Sequence, residues 1–293
     1  MMTSIEIFKD LSDFTSYVDG FMPDTTFSQL GPSVRATAKE ISRLVTPEVY
    51  GVLSDAPVSD TLSEGHEHLK TALASGAVYR YAIFAAVKKN GSEASLYKYQ
   101  YEEIRRHHID AFWQAMDWLL EWLDEHAQEV KWKTPEGESC YAESKAYKER
   151  QSLPVRSAAE FDYYYGIDNS AFFFSKVQYI IRTVWSQKIL PVIRDSKDER
   201  VLDLAKRSLC YQVMAKAVMQ FDVTELPRSI RYDFNHEYTK GTSMQSRDRL
   251  YAQLMAEVES WNASIETILK ASSGSMAIQN NLNKEENKHY TML

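Results

Sequence analysis

Two histidines stand two residues apart in the stretch "SEGHEH", His66 and His68, and neighbouring imidazoles of this kind are common metal ligands. On a helix, residues two apart point to different sides, so a shared ion would require extended backbone there. The surroundings read instead as the exposed start of a helix. A second concentration of titratable groups lies in "EEIRRHHIDAFW", where Glu103 and His107 are four apart, with His108 and Asp110 close by. A di-iron bundle needs Glu-x-x-His on each of two helices and a further glutamate on each of two others. The spacing here is Glu-x-x-x-His, and it occurs once. That pattern describes an acid–base pair along a solvated helix face. A third set, Asp233, His236 and Glu237, reads as part of a polar loop.

Other chemistries leave no signature. The sequence has no G-x-G-x-x-G, no G-x-x-x-x-G-K-[ST] and no G-x-S-x-G elbow. Cys140 and Cys210 stand in unlike contexts, which supports neither a disulfide framework nor a thiolate metal site. The acidic residues are dispersed rather than paired. The expectation is a protein with no catalytic residues, no metal and no cofactor, hence not an enzyme.

The elements that must position these residues follow from composition and periodicity. Ten glycines and eight prolines are few for 293 residues, which disfavours an all-β sandwich and favours helices. With 44% hydrophobic and 26% charged residues the chain can bury a substantial core as one large domain or two ordinary ones. The net charge of −7 makes non-specific binding to nucleic acid unfavourable, because that binding needs clustered Lys and Arg. The opening "MMTSIEIFKDLSDF" lacks a basic-then-apolar leader, and no apolar run reaches membrane-spanning length. The expectation is a soluble chain working in the cytoplasm, away from membranes.

The two halves of the sequence match. Phe161 lies 147 residues after Phe14, and in the same register Tyr164 follows Tyr17, Phe174 follows Phe27, Ser175 follows Ser28 and Arg182 follows Arg35. Further on the offset falls to 144 for Pro47 and Pro191, and to 132 for Tyr79 and Tyr211. Loops of unequal length account for that drift, and an internal duplication accounts for the matches.

Helix signals repeat with the register. Phe27, Leu30, Val34, Ile41 and Val45 form one apolar stripe, capped by Asp24, Thr25 or Thr26 and limited by Pro47. Phe174, Val177, Ile181, Val184 and Ile189 form the matching stripe, capped by Asn169 or Ser170 and closed by Pro191. Ser157 and Glu160 form a capping box for a short helix over 157–165, followed by a turn at 166–169. Longer helices are predicted over 64–88 and 102–126, matched by 198–220 and 246–270. Between the last two helices of each half lies an insertion. The first holds Asn90-Gly91 and the alternating "SLYKYQY", a β-hairpin signal; the second, "FDVTELPRSIRYDF", breaks at Pro227. The fold class is therefore mainly α, a tandem pair of similar helical bundles. Its parts are repeat 1 over 1–130, a linker over 131–156, repeat 2 over 157–271 and a polar, mobile tail over 272–293.

Aromatic residues exceed what such small bundles need. Tyr163, Tyr164 and Tyr165 form one triplet and Phe172, Phe173 and Phe174 another. Along 102–126, Ile109, Trp113, Met116, Leu120 and Leu123 make the core stripe, which leaves Trp118 and Trp122 on other faces. Exposed rings of this size mark protein interfaces. The candidate interface residues are Trp118, Trp122, Tyr163, Tyr165 and Phe172, with Tyr97, Tyr99 and Pro227 on the two insertions.

The repeated short Phe-bearing helix ("DLSDF", "SAAEF"), its turn and the helix opening on Phe-Ser ("TFSQLGPSVRATAKEISRLVTPEVY", "FFFSKVQYIIRTVWSQKILPVI") resemble a family of unknown function. That family is found in phages and prophages of Bacteroidetes, and its layout is similar to the helical head–tail connector proteins of tailed phages. The resemblance implies a structural virion protein, a neck ring subunit that bridges portal and tail around the DNA channel. Its partners would be further copies of itself, the portal and a tail adaptor, with DNA passing nearby unbound, and it would reside in the virion after assembly in the host cytoplasm. The chain departs from many connectors in being a tandem pair rather than one helical unit. A helical scaffold or regulatory protein acting inside the cell, with a partner on its aromatic surface, is the other reading of the same residues.

Overall fold

The computed structural model describes residues 7–18, 25–55, 61–89, 98–194, 196–238 and 243–282. The chain is mainly helical and divides into two compact units, 1–152 with 170–175, and 153–169 with 176–293.

The first unit opens with α1 (Leu11–Thr15), α2 (Phe27–Val45) and α3 (Pro47–Asp55). Thr26 and Gln29 cap α2 reciprocally, and Leu30, Val34, Ile41 and Val45 are buried along it. Pro47 disfavours helical backbone at Thr46, which takes φ 84° and ψ 150°, and as the first residue of α3 it lets the chain restart at once. Helices α4 (Ser63–Lys89) and α5 (Lys98–Glu125) then pack closely against each other. The approach is set by glycine: a Cβ built on Gly65 would lie 2.3 Å from the Trp122 ring. A Cβ on Gly76 would lie 2.8 Å from Phe112 and 2.6 Å from Thr37.

The segment expected to be a linker folds. Strands β1 (Lys131–Thr134) and β2 (Gly137–Cys140) pair antiparallel with Lys131 opposite Cys140, and Gly137 supplies the φ of 142° that closes the hairpin. After it, α6 (Lys145–Gln151) is capped by Ser144, whose Oγ accepts from the Tyr147 amide. Arg150 of α6 pairs with Asp124 of α5. Burial raises the Asp124 carboxyl above its ordinary range in spite of that guanidinium, and burial also pushes the nearby Tyr141 hydroxyl up to about 12.

The second unit contains α7 (Ala158–Tyr164), most of α8 (Ala171–Val184), α9 (Leu190–Ile193), α10 (Glu199–Gln220), α11 (Arg228–Tyr238) and α12 (Ser243–Leu282). The first turn of α8 belongs to the first unit. There the Asp117 carboxylate accepts from Ser170 Oγ and from the Phe172 amide, each at 2.8 Å. Phe172 meets Trp113 and Phe112 edge-on, with centroids 4.9 and 5.6 Å away. Between α8 and α9 the helix widens into a π turn over Trp185–Ile189. Pro191 has no N–H to give the carbonyl four residues back, and the wider turn re-registers the ladder around it. Helices α10 and α12 pack along their length. Ser208 donates to Asn262 at 2.9 Å, and Arg247 donates to the Val218 and Phe221 carbonyls at the end of α10.

Three further expectations change. The hairpin predicted after Asn90-Gly91 falls largely outside the described residues, and Lys98 onward is helical as the start of α5. The Pro227 insertion is not irregular throughout: it contains a 3-10 turn over Val223–Glu225 and the helix α11. The segment 272–282, expected as mobile tail, continues α12.

The glycine contacts generate a paired test. Gly65→Ala drives a methyl into the Trp122 ring and should cost about 2–3 kcal/mol, lowering the thermal midpoint followed by circular dichroism. Gly51→Ala in α3, with nothing within 4 Å of the added Cβ, should leave stability unchanged or raise it by about 0.5–1 kcal/mol.

Candidate functional site

The histidines do not converge. His66 hydrogen-bonds through Nδ1 to the Leu53 carbonyl at 2.7 Å, which ties α4 to the end of α3. His68 lies 3.6 Å from Glu64, and its ring centroid is 6.1 Å from that of Trp118. Burial lowers the His68 pKa, while Glu64 works against that shift. Glu103 and His107 are exposed on α5, as an acid–base pair on a solvated face requires. Asp233, His236 and Glu237 stand on α11 rather than in a loop, and their side chains lie outside the described residues. Among the described residues no three His, Cys, Asp or Glu side chains gather as a metal ion would need. Cys140 and Cys210 are free and buried, and burial raises the Cys210 thiol far above its usual range.

His108 is the exception to the surface reading. Its ring is 2% exposed, its Nδ1 has no hydrogen-bond partner among the described residues, and its ring centroid is 5.5 Å from that of His107. Burial first, and the His107 charge second, bring its pKa down to about 4. The periodic stripe through Ile109 gave no sign of this, since a neighbouring register places His108 on the solvated side.

The candidate interface residues separate into distinct environments. Trp118 is 45% exposed and Tyr163 72% exposed. Tyr165 is half-buried, edge-on to Tyr211 at 5.2 Å. Trp122 and Phe172 are buried within the chain, against the expectation that they face outward. Gly65 admits the Trp122 ring into the α4–α5 crossing, where it also stacks on His126 with centroids 4.6 Å apart. Phe172 is held by the Asp117 cap. Pro227 is buried ahead of α11. Tyr97 lies outside the described residues, as does the side chain of Tyr99 in the first turn of α5.

Large apolar side chains that periodicity did not single out are exposed in the second unit: Tyr179 on α8, Leu190 on α9, Met219 on α10 and Tyr251 on α12. Three of them share one end of the bundle. The Tyr179 hydroxyl reaches Gln220 at 3.5 Å, next to Met219, and Tyr251 stands one turn beyond Arg247, which grips the end of α10.

Residues 183–284, from the last turn of α8 through the whole of α12, match a family of unknown function (DUF6712), about a third of the chain. The matched segment includes Leu190, Met219 and Tyr251. No curated protein and no solved structure matches the chain.

The buried imidazole has a measurable signature. A histidine with a depressed folded pKa binds fewer protons folded than unfolded between about pH 4 and 6.5, so its contribution is complete above 6.5 and lost as pH falls to 4. The loss is on the order of 3 kcal/mol. His108→Leu should flatten the dependence of the unfolding midpoint on pH between 4 and 6.5; an unchanged slope would show that other groups produce it.

Proposed function

We propose that the chain is a structural protein that works in an assembly, as a head–tail connector or neck ring subunit of a tailed phage. The observation that supports this reading is the exposed apolar end of the second unit, Tyr179, Met219 and Tyr251, with Trp118 exposed on the first unit. A ring subunit must present large apolar side chains to its neighbours, since rings and methionine dominate the buried centres of protein interfaces. The tandem arrangement of similar helical elements and the resemblance of its short helices to phage proteins agree with this role. The net charge of −7 suits a wall past which DNA slides without being held.

Two experiments test the proposal. Quantitative proteomics of purified virions should find the chain at the copy number of the portal. Absence from particles, together with abundance in infected cells, would end the virion reading and leave a partner inside the cell. In the purified chain, Tyr179→Ser with Met219→Ser should abolish higher assembly in sedimentation while leaving the unfolding free energy within about 1 kcal/mol of the parent, as exposed substitutions do. An unaltered assembly would remove this surface from the interface.

A further inference from the structure

The solvent side of α2 carries one sign of charge. Arg35, Lys39 and Arg43 follow one another at four-residue intervals, all three exposed, and form a single row about 12 Å long on the helix. Glu40, the only acid of α2, is engaged by Arg80 of α4. Among the described residues the three cations of the row have no ion-pair partner. The duplicated helix does not repeat the row: in the register of 147, α8 sets Arg182, Ser186 and Leu190 at these positions. A charge row present on one copy of a duplicated helix belongs to that face and is not required by the packing the two helices share.

The same unit carries a complementary face on another helix. On α5, Trp118, Glu121 and Glu125 follow at intervals of three and four, all exposed, over about 10 Å. Exposed Glu64 of α4 borders the indole across His68. Asp124 has Arg150 as its partner, whereas Glu121 and Glu125 have no ion-pair partner among the described residues. Burial first, then the charges of Glu125 and Asp124, raise the Glu121 carboxyl, which marks a surface short of positive charge. A tryptophan face bordered by carboxylates suits a guanidinium, which stacks on the ring while its N–H groups meet the acids. The acids of α12 offer less: Glu257 and Glu259 stand two apart and point to different sides, and Glu266 is taken by Lys270.

We infer that these are the two sides of one contact: the Arg35–Lys39–Arg43 row of one molecule docks on the Trp118–Glu121–Glu125 face of a second copy of this chain. An arginine covers the indole and the other cations meet the carboxylates. The rows agree in spacing and length and are opposite in sign. At a net charge of −7 two copies repel one another, and the α2 row is where that repulsion reverses, so it selects the face that can approach. The two faces lie on different helices, which makes the contact head-to-tail. Every copy offers α5 to one neighbour and α2 to another, and copies join in a chain or close in a ring. The inference rests on reading the chain as an assembling protein, but neither on its place in a virion nor on the apolar end of the second unit.

Two full-length variants provide the test. One carries Arg35→Glu, Lys39→Glu and Arg43→Glu, the other Glu121→Lys and Glu125→Lys. Sedimentation velocity of the parent in low salt should show concentration-dependent association that about 0.5 M salt weakens. Each variant alone should associate at least ten-fold more weakly. Their equimolar mixture should recover the parent's affinity, because the α2 face of each then opposes the α5 face of the other in sign. General attraction cannot produce that recovery, since both variants remain acidic overall. Variants that associate as the parent does, a mixture that stays dissociated, or a parent that is monomeric throughout would overturn the inference. Trp118→Ala covers the case in which a charge variant fails to fold. It should weaken association at least ten-fold with an unchanged circular-dichroism melt, and unchanged association overturns the inference. Tyr179→Ser with Met219→Ser reports on the other surface. Charge variants that assemble normally beside a defective Tyr179, Met219 variant would remove this contact and leave the assembly reading in place.

Discussion

A helix of five or seven residues cannot hold itself together in water, because nucleation fixes several residues before the first hydrogen bond closes. Yet α1 and α7 supply Phe14 and Phe161, which are fully buried. The constraint is met by one carboxylate in each helix that performs two tasks. It satisfies a free amide ahead of the helix, and it receives the lysine that binds the helix to its neighbour. Charge-assisted hydrogen bonds shared in this way exceed neutral ones in strength, and Lys70 is nearly inaccessible to water. Burial acts to raise the Asp13 carboxyl, but the Lys70 and Lys9 contacts outweigh it and hold the group below its usual range. The lock is therefore complete at neutral pH and is lost only as pH falls through that depressed value.

The stripes were legible in the sequence because they follow helical periodicity: Leu30, Val34, Ile41 and Val45 on α2, and Val177, Ile181 and Val184 on α8, are buried as the spacing requires. What periodicity cannot show is a helix covered on more than one side. Trp122 stands off the stripe and is still buried, because Gly65, 57 residues earlier, leaves space for its ring. Phe172 is inside because Asp117 caps α8 from a distant helix. The hairpin at 131–140 was hidden by its lysines and glutamates, whose alternation reads equally well as a polar linker.

The tyrosine triplet shows the same limit within three consecutive residues. Tyr164 is recruited by Asp203, Tyr165 lies edge-on to Tyr211, and Tyr163 alone points into solvent. Nothing in a run of identical residues distinguishes them; the partners do. The exposed end of the second unit is equally a product of packing. Met219 and Tyr251 sit on helices whose other faces are buried, and Arg247 ties the start of α12 to the last turn of α10 beside them.

The two short helices are anchored alike by side chains of different length. In the first unit the short acid Asp13 meets Lys70, and the long acid Glu67 takes the Tyr17 hydroxyl; in the second the long acid Glu160 meets Lys206, and the short acid Asp203 accepts from Tyr164. Each contact therefore sets its own carboxylate length, and adding or removing one methylene would crowd the pair or leave a donor short of its acceptor. An imperfect charge-assisted contact of this kind loses on the order of 1–3 kcal/mol.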